Sequence, residues 1–360
     1  YGLLLPEMQA DLGIDARVGG LIASGSYGSY LVGNTAVVWL TSRFGPRLPL
    51  GTAAAAATVG MVLIATAQAV PGLAAGVLVA GLSAGLAVPP YADVVAHAVA
   101  PARRPVAWSV ISSGTGWGVA LAGPVAVALG ARWRIAWLAF AGLAVLVGVA
   151  AILAVPARAA GPAGELPRLR WSWVVCPRSR PLLLSAVLIG AGSSVWWTFS
   201  VDALRMAGMP ESPARTAYAL CGVAGIIASG TGALAARAGL RRSYFLTCAV
   251  LAASLGMLGL TGASFTAAVV AALLFGVSYN GVFAVQGLWS ADVFGDRPSA
   301  GLAAVNTALT AGTITGPAVA GMVIHSHGYG IVLGASAAVV ALAAVQAPPS
   351  RPHVHDAHAV

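Results

Sequence analysis

Long apolar stretches, separated by short charged or Gly/Pro-rich gaps, dominate the pattern of this chain. About 20 apolar residues cross a bilayer as a helix, and in most of the sequence charged residues bound one such stretch at a time. Three stretches hold two helices each: the 45 uncharged residues between Arg47 and Asp93, the 49 between Arg242 and Asp292, and the 53 between Arg297 and Arg351. The pattern predicts eleven membrane-spanning helices.

The opening segment, Tyr1 to Met8, is apolar but too short to span a membrane. Because the chain starts with Tyr rather than Met, we interpret this segment as the outer end of a first helix whose start is absent. Twelve spans would then place both termini on one side of the membrane. A membrane barrel is disfavoured, because barrel strands are alternating segments of about ten residues rather than continuous apolar runs. The predicted fold class is an all-α membrane protein.

Composition excludes a soluble protein of any fold. Hydrophobic residues make up 59% of the 360 residues, charged residues only 8%, and the mean hydropathy is +0.87, whereas soluble domains are about 25% charged. The net charge of +9 comes from arginine alone, and the arginines lie in the gaps between apolar runs. They therefore indicate membrane orientation rather than nucleic-acid binding. The three widely spaced cysteines are interpreted as packing residues.

The arginines are distributed unequally between the two sides. Fourteen of the 19 fall in one set of loops, which includes the charged segment between Pro156 and Pro181. The positive-inside rule places this set and both termini in the cytoplasm, so we expect a multi-pass protein of the inner plasma membrane. The predicted organisation is an N-terminal six-helix bundle over residues 1–157 with an incomplete first helix, a cytoplasmic linker over 158–180, a C-terminal six-helix bundle over 181–347, and a cytoplasmic tail over 348–360.

An internal repeat relates the two halves. The motif L-x-x-R-x-G-x-R begins at Leu40 and again at Leu234, an offset of 194 residues. Four further matches have offsets of 193 to 195: Arg104-Pro105 with Arg297-Pro298, Gly123-Pro124 with Gly316-Pro317, Pro156-x-Arg158 with Pro349-x-Arg351, and Glu7 with Asp202. A constant offset at equivalent span ends indicates two six-helix units in parallel repeat.

These motifs resemble those of the major facilitator superfamily (MFS), whose members contain such a parallel repeat. The loop L-T-S-R-F-G-P-R and its second copy, G-A-L-A-A-R-A-G-L-R-R from Gly232, are similar to the superfamily signature G-x-L-x-D-R-x-G-R-R. Ser42 and Ala236 stand where the signature has Asp, and Val77 stands where the fourth span has Arg. The opening residues are similar to a poorly characterised bacterial branch. The resemblance implies two six-helix bundles related by pseudo-twofold symmetry, with the first helix truncated here.

The resemblance also implies a substrate cavity lined by spans 1, 4, 7 and 10, with help from spans 2, 5, 8 and 11. Polar and aromatic residues midway along these spans are the candidates for substrate contact: Tyr27, Tyr30, Asn34, Trp117, Ser194, Trp197, Tyr279, Asn280 and Asn306. Helix packing or lipid contact is the alternative for each aromatic residue, and a neighbouring helix is the alternative partner for Asn280. None is charged, which favours a neutral solute.

Charged residues at the arginine-rich ends of the spans are the candidates for a gate. We hypothesise a latch in which Asp93 pairs with Arg43 or Arg47, and Asp292 with Arg237 or Arg241. The alternative is that both carboxylates lie in interfacial water. The spacing Gly-x-x-x-Gly at Gly81, Gly114 and Gly312 is typical of close helix packing, and is also compatible with faces that rock during transport.

No nucleotide-binding, H-E-x-x-H or G-x-S-x-G motif is found, so neither an ATP-driven pump nor an enzyme is predicted, and no cofactor or metal is expected. The three tail histidines are interpreted as part of a disordered tail rather than a metal site. The prediction is a monomeric secondary transporter in the lipid bilayer, which moves a small organic molecule in exchange for protons, with efflux favoured over import. A non-transporting sensor or scaffold with the same fold is the alternative class.

Overall fold

The computed structural model describes residues 1–103, 107, 111, 114–129, 132–155, 176–227, 238–294 and 298–348. The predicted linker lies outside the described residues as far as position 175, and the predicted tail does so from position 349. Among the described residues the chain is helical and contains no β-strand.

The first helical segment is short and buried. A single 3-10 turn, Gly2–Leu4, leads into α1, Leu5–Leu12. The helices that follow are α2 (Ala16–Phe44), α3 (Arg47–Thr66), α4 (Val70–Ala98), α5 (Gly114–Leu129), α6 (Trp133–Ala154), α7 (Arg180–Met206), α8 (Glu211–Ile227), α9 (Leu240–Leu260), α10 (Phe265–Val293) and the run Pro298–Val345. Gly328 breaks that run with φ 80° and ψ 174°, which divides it into α11 (298–327) and α12 (329–345).

The described helices confirm the eleven spans that the sequence predicted after the first segment. By length and composition alone, seven described helical runs are long and apolar enough to cross a membrane, with Gly301–Val345 counted once. We call the end of the molecule where α6 ends and α7 begins the linker face, and the other end the opposite face. Successive helices run between the two faces in alternating directions, so the loop between α1 and α2 lies on the opposite face.

The repeated motif has the same local structure in both halves. Its glycine, Gly45 after α2 and Gly239 before α9, has a φ of 78° in the first copy and 81° in the second. Residues with a Cβ rarely adopt this backbone conformation. The glycine at this position therefore allows the sharp turn at the linker face in each half. On the opposite face, Asp15 caps α2 by accepting a hydrogen bond of 2.8 Å from the Val18 backbone N–H.

Two bundles form the molecule, as the MFS architecture requires. In the first bundle α4 packs against α2 and α3, and α3 packs against α6. In the second, α7 packs against α11, and α9 packs against α10 and α12. The bundles meet along two seams, α2 with α11 and α5 with α8. Burial separates inner helices from peripheral ones: 67% of the apolar window of α7 is buried, but only 22% of that of α6.

Glycines bring the backbones together along both seams. A Cβ on Gly20 would overlap the Pro317 carbonyl, and one on Gly321 would overlap the Ala16 carbonyl, so α2 and α11 are in backbone contact. Gly116 and Gly222 each face the other's carbonyl oxygen between α5 and α8. Two helices can approach this closely only where side chains are absent. The small residues therefore determine how the bundles fit together.

The three Gly-x-x-x-Gly pairs serve different surfaces. Gly81 and Gly85 face the backbone of α2 inside the first bundle, whereas Gly312 and Gly316 face α7 inside the second. Gly114 and Gly118 face open space, since no heavy atom lies within 4 Å of a Cβ built on either of them. The packing interpretation accounts for the first two pairs and not for the third.

Candidate functional site

A group of aromatic side chains occupies the inner side of the second bundle. Trp197 on α7 contacts Tyr218 on α8 and Phe275 and Tyr279 on α10, with ring centroids 6.0, 5.3 and 5.3 Å apart. Tyr279 contacts Phe275 and Phe283, at 5.4 and 4.9 Å. We call these five residues the central aromatic cluster. Edge-to-face and offset contacts of this kind hold the rings in fixed orientations.

The first bundle contributes two phenols to the same region. Tyr27 and Tyr30, one helical turn apart on α2, lie within electrostatic range of Tyr279, and Tyr27 also lies within range of Tyr218. Trp197, Tyr279 and both α2 tyrosines are half-buried rather than fully buried. Four of the predicted substrate contacts are thus brought together from both bundles, around rings that keep part of their surface free.

The amide of Asn280 lies beside this cluster. Its Nδ2 donates a hydrogen bond of 2.9 Å to the Gly276 carbonyl, one turn earlier on α10. The same Nδ2 atom lies 2.7 Å from where a Cβ would be on Gly225 of α8. The neighbouring helix is therefore in contact with the amide, which is half-buried.

The remaining predicted contacts are placed differently. Ser194 is fully buried, donates a hydrogen bond of 2.9 Å to the Ala191 carbonyl, and abuts Gly316 of α11. Trp117 on α5 is 51% exposed. Asn34 and Asn306 are half-buried near the linker-face halves of α2 and α11. The structure does not bring these four together with the central aromatic cluster.

The gate predicted at the linker face is described in part. Arg237 and the side chain of Asp93 lie outside the described residues. Arg43 and Arg241 are exposed, and Arg47 donates a hydrogen bond of 2.7 Å from Nε to the Ile152 carbonyl at the end of α6. The backbone carbonyl of Asp292 accepts a hydrogen bond of 3.0 Å from Arg178, which ties the segment before α7 to the end of α10.

The opposite face holds an ion network that the sequence analysis did not identify. Glu7 of α1 pairs with Arg205 of α7 at 3.0 Å and with Arg215 of α8 at 2.5 Å. Glu211 completes the network by pairing with Arg205 at 2.8 Å and with Arg215 at 3.1 Å. We call these four residues the opposite-face network. It joins the first bundle to the second.

Burial makes this network energetically important. The Arg215 side chain is 1% exposed and that of Glu7 is 5% exposed, whereas Glu211 is 40% exposed. A buried charge that loses its partner is strongly unfavourable. Separating the bundles at this face would strand Glu7 and Arg215. The match of Glu7 with Asp202 in the repeat was the only sequence signal near this network, and it gave no partner.

The closed arrangement extends to the start of the chain. A Cβ on Gly2 would overlap the Trp197 carbonyl of α7, so the first turn is in backbone contact with the second bundle. Leu3, Leu4, Leu5 and Met8 are all buried in the core that the two bundles share. The opposite face is therefore sealed both by apolar packing and by the ion network.

Comparisons with known proteins agree with this architecture. The family profile described as Major Facilitator Superfamily matches residues 1–294. Two solved structures of nucleoside transporter NupG, one of a single-site mutant, superimpose with TM-scores of 0.77 and 0.74. Each is 11% identical in sequence, and each alignment covers 96% of this chain and 93% of that chain. No curated protein matches the sequence.

Proposed function

Since the chain belongs to the Major Facilitator Superfamily, we propose that it is a secondary active transporter that carries a small, neutral organic solute by alternating access, with the central aromatic cluster as part of the binding site. The observation that carries the proposal is the meeting of Tyr27 and Tyr30 with Trp197 and Tyr279 between the bundles. Phenols, an indole and the nearby Asn280 amide offer ring faces and hydrogen bonds without charge. Such a surface suits a flat, uncharged solute.

Alternating access is supported by the difference between the two kinds of bundle contact. The glycine seams give smooth backbone surfaces on which the bundles can tilt, and the opposite-face network gives a contact that forms only when that face is closed. Binding of solute or ions can then shift the equilibrium between the two arrangements by the difference in affinity. The same architecture serves import, export or a scaffold, and flux measurements separate these.

Proton coupling and efflux form the finer part of the proposal. We place the linker face in the cytoplasm from the distribution of arginines, and take the proton gradient as the energy source. Residues 1–157 and 181–347 are proposed to move as the two units, with the chain acting as a monomer. The proposed linker-face latch predicts that Asp93→Asn, alone or with Arg43→Gln, lowers transport. Unchanged transport in both variants contradicts the latch.

The test combines a binding screen with flux. Neutral ring-containing solutes, including a nucleoside because of the NupG likeness, are screened for those that raise the thermal stability of the purified protein. Solutes that do so are then followed in proteoliposomes with and without a pH gradient. A carrier shows saturable flux that responds to the gradient, whereas a scaffold gives binding without flux.

A matched pair of phenol variants localises the site. Tyr279→Phe removes a hydroxyl from the central aromatic cluster and is expected to raise KM about 5- to 15-fold, the value of one hydrogen bond of about 1–1.5 kcal/mol. Tyr244→Phe removes a hydroxyl that donates 3.2 Å to the Ala343 carbonyl inside the second bundle. It is expected to lower stability by a similar free energy and to leave KM unchanged. Equal effects on KM would contradict the proposed site.

A further inference from the structure

A cavity of about 600 Å³ opens at the opposite face, next to the ion network. The first bundle supplies Gln9 and Ala10 of α1 to its wall, and the second supplies Asp202 and Met206 of α7 and Tyr329 of α12. Most of the remaining lining is apolar. Because both bundles build the wall, the cavity has this shape only while the opposite face is closed.

The charges around this cavity do not balance. Both guanidinium groups of the opposite-face network, those of Arg205 and Arg215, are paired with Glu7 and Glu211. Asp202 is a third carboxylate in the same region and is only 7% exposed. Its close partners are neutral: the Tyr329 hydroxyl donates a hydrogen bond to Oδ2, and the Gln9 side chain lies against it. Three carboxylates therefore face two cations.

We propose that this cavity is a binding site for an organic ammonium ion, separate from the central aromatic cluster. The ammonium group would pair with Asp202, and the apolar body of the ligand would fill the space beside Ala10 and Met206. A metal ion fits less well, because Ca²⁺ requires six or more oxygen ligands and no group of three His, Cys, Asp or Glu suited to a metal occurs in the described parts of the chain. The surplus carboxylate supplies the charge preference and the apolar wall supplies the size preference.

Occupation of this site has a consequence for the state of the protein. A ligand held between α1 and α7 stabilises the arrangement in which those helices are close, by an amount set by its concentration relative to its Kd. The closed opposite face should therefore become more populated when the ammonium binds. This inference concerns binding only, so it stands or falls independently of whether the chain transports a solute.

Benzylamine, which is protonated at neutral pH, is the probe, and benzyl alcohol is its neutral counterpart of similar shape. In thermal melts of the full chain in detergent, we expect benzylamine to raise the Tm of the wild type by a few degrees and benzyl alcohol to have no effect. Asp202→Asn should weaken benzylamine binding at least about tenfold, the value of a charge-assisted contact. Asp15→Asn is the matched control, because this carboxylate lies on the same face but outside the cavity.

Ala10→Trp provides a second test that leaves Asp202 in place. Ala10 is exposed at the cavity wall, so the indole should fill the cavity without disturbing the core, and the response to benzylamine should disappear. The proposal is overturned if benzylamine does not stabilise the wild type, or if benzyl alcohol stabilises it equally. It is also overturned if the response persists in either Asp202→Asn or Ala10→Trp. If Asp202→Asn does not fold, the Ala10→Trp result decides.

Discussion

The two faces of the molecule use arginine in opposite ways. On the opposite face Arg215 is 1% exposed and bridges α8 to Glu7 of α1 across the bundle interface. On the linker face Arg43 is exposed, with its guanidinium 5.7 Å from the ring centres of Trp39 and Phe44 on its own helix. Arg47 is likewise bound within the first bundle. Among the described residues, charge therefore holds the bundles together at one face only, and the structure represents the arrangement closed on that side.

Removal of Arg215 should break this difference most strongly. Arg215→Met leaves the buried Glu7 carboxylate with Arg205 alone, and a buried pair that loses one member costs about 3–5 kcal/mol. We expect a large fall in the unfolding midpoint of the purified protein. Arg43→Gln is the control at the linker face, where an exposed charge contributes little.

A double-mutant cycle distinguishes pairing from simple loss of packing. Glu7→Gln combined with Arg215→Met removes both charges, so it should cost less than the sum of the two single changes, with a coupling of about 1–3 kcal/mol. Purely additive free energies would mean that the contact between Glu7 and Arg215 does not stabilise the closed face.

Adding one methyl group to a seam should have an intermediate effect. Gly20→Ala places a Cβ against the Pro317 carbonyl of α11, where it can fit only if the bundles separate. Overpacking of this kind costs about 1–3 kcal/mol, so we expect transport of the solute found above to fall about tenfold. Gly28→Ala is the control on the same helix, because no heavy atom lies within 4 Å of its Cβ position. Equal flux in the two variants would show that the seam does not limit the motion.

The smallest effect is expected from an ion pair within one bundle. Arg134 of α6 pairs with Asp11 of α1 at 2.5 Å, donates to the Ala67 carbonyl at 2.9 Å, and lies 4.2 Å from the Trp133 ring centre. The pair is partly exposed, so Arg134→Gln should lower stability by only about 0.2–1 kcal/mol, and less in high salt. Flux should not change, because both partners move together. A loss of transport as large as that of Gly20→Ala would contradict this assignment.

The gate illustrates how far sequence reasoning reaches. Ion pairs at the ends of spans were predicted, but at the linker face, where the arginines are numerous. The buried network lies at the face with few arginines, because the number of charges reflects membrane orientation and says little about burial. Glu7 and Arg215 are 208 positions apart, and no local pattern connects them. Only the packing of α1 against α7 and α8 makes them partners.

The candidate site divides in the same way. Tyr27, Tyr30, Trp197 and Tyr279 were identified because they are polar or aromatic at mid-span, and the structure brings them together. Ser194 satisfied the same criterion, yet it faces Gly316 inside the second bundle. Depth along a helix follows from counting residues, whereas the direction of a side chain depends on how its helix is rotated against its neighbours.

The sequence by itself determined the number of helices, their ends, and the two-fold repeat, because apolar length and charge act locally on each segment. The repeat even preserves the backbone turn at Gly45 and Gly239. Tertiary structure alone decided which face is closed, which carboxylate lacks a cationic partner, and which aromatic rings meet. These depend on close contacts between distant helices, where a single Cβ or an unpaired charge changes the free energy by several kcal/mol.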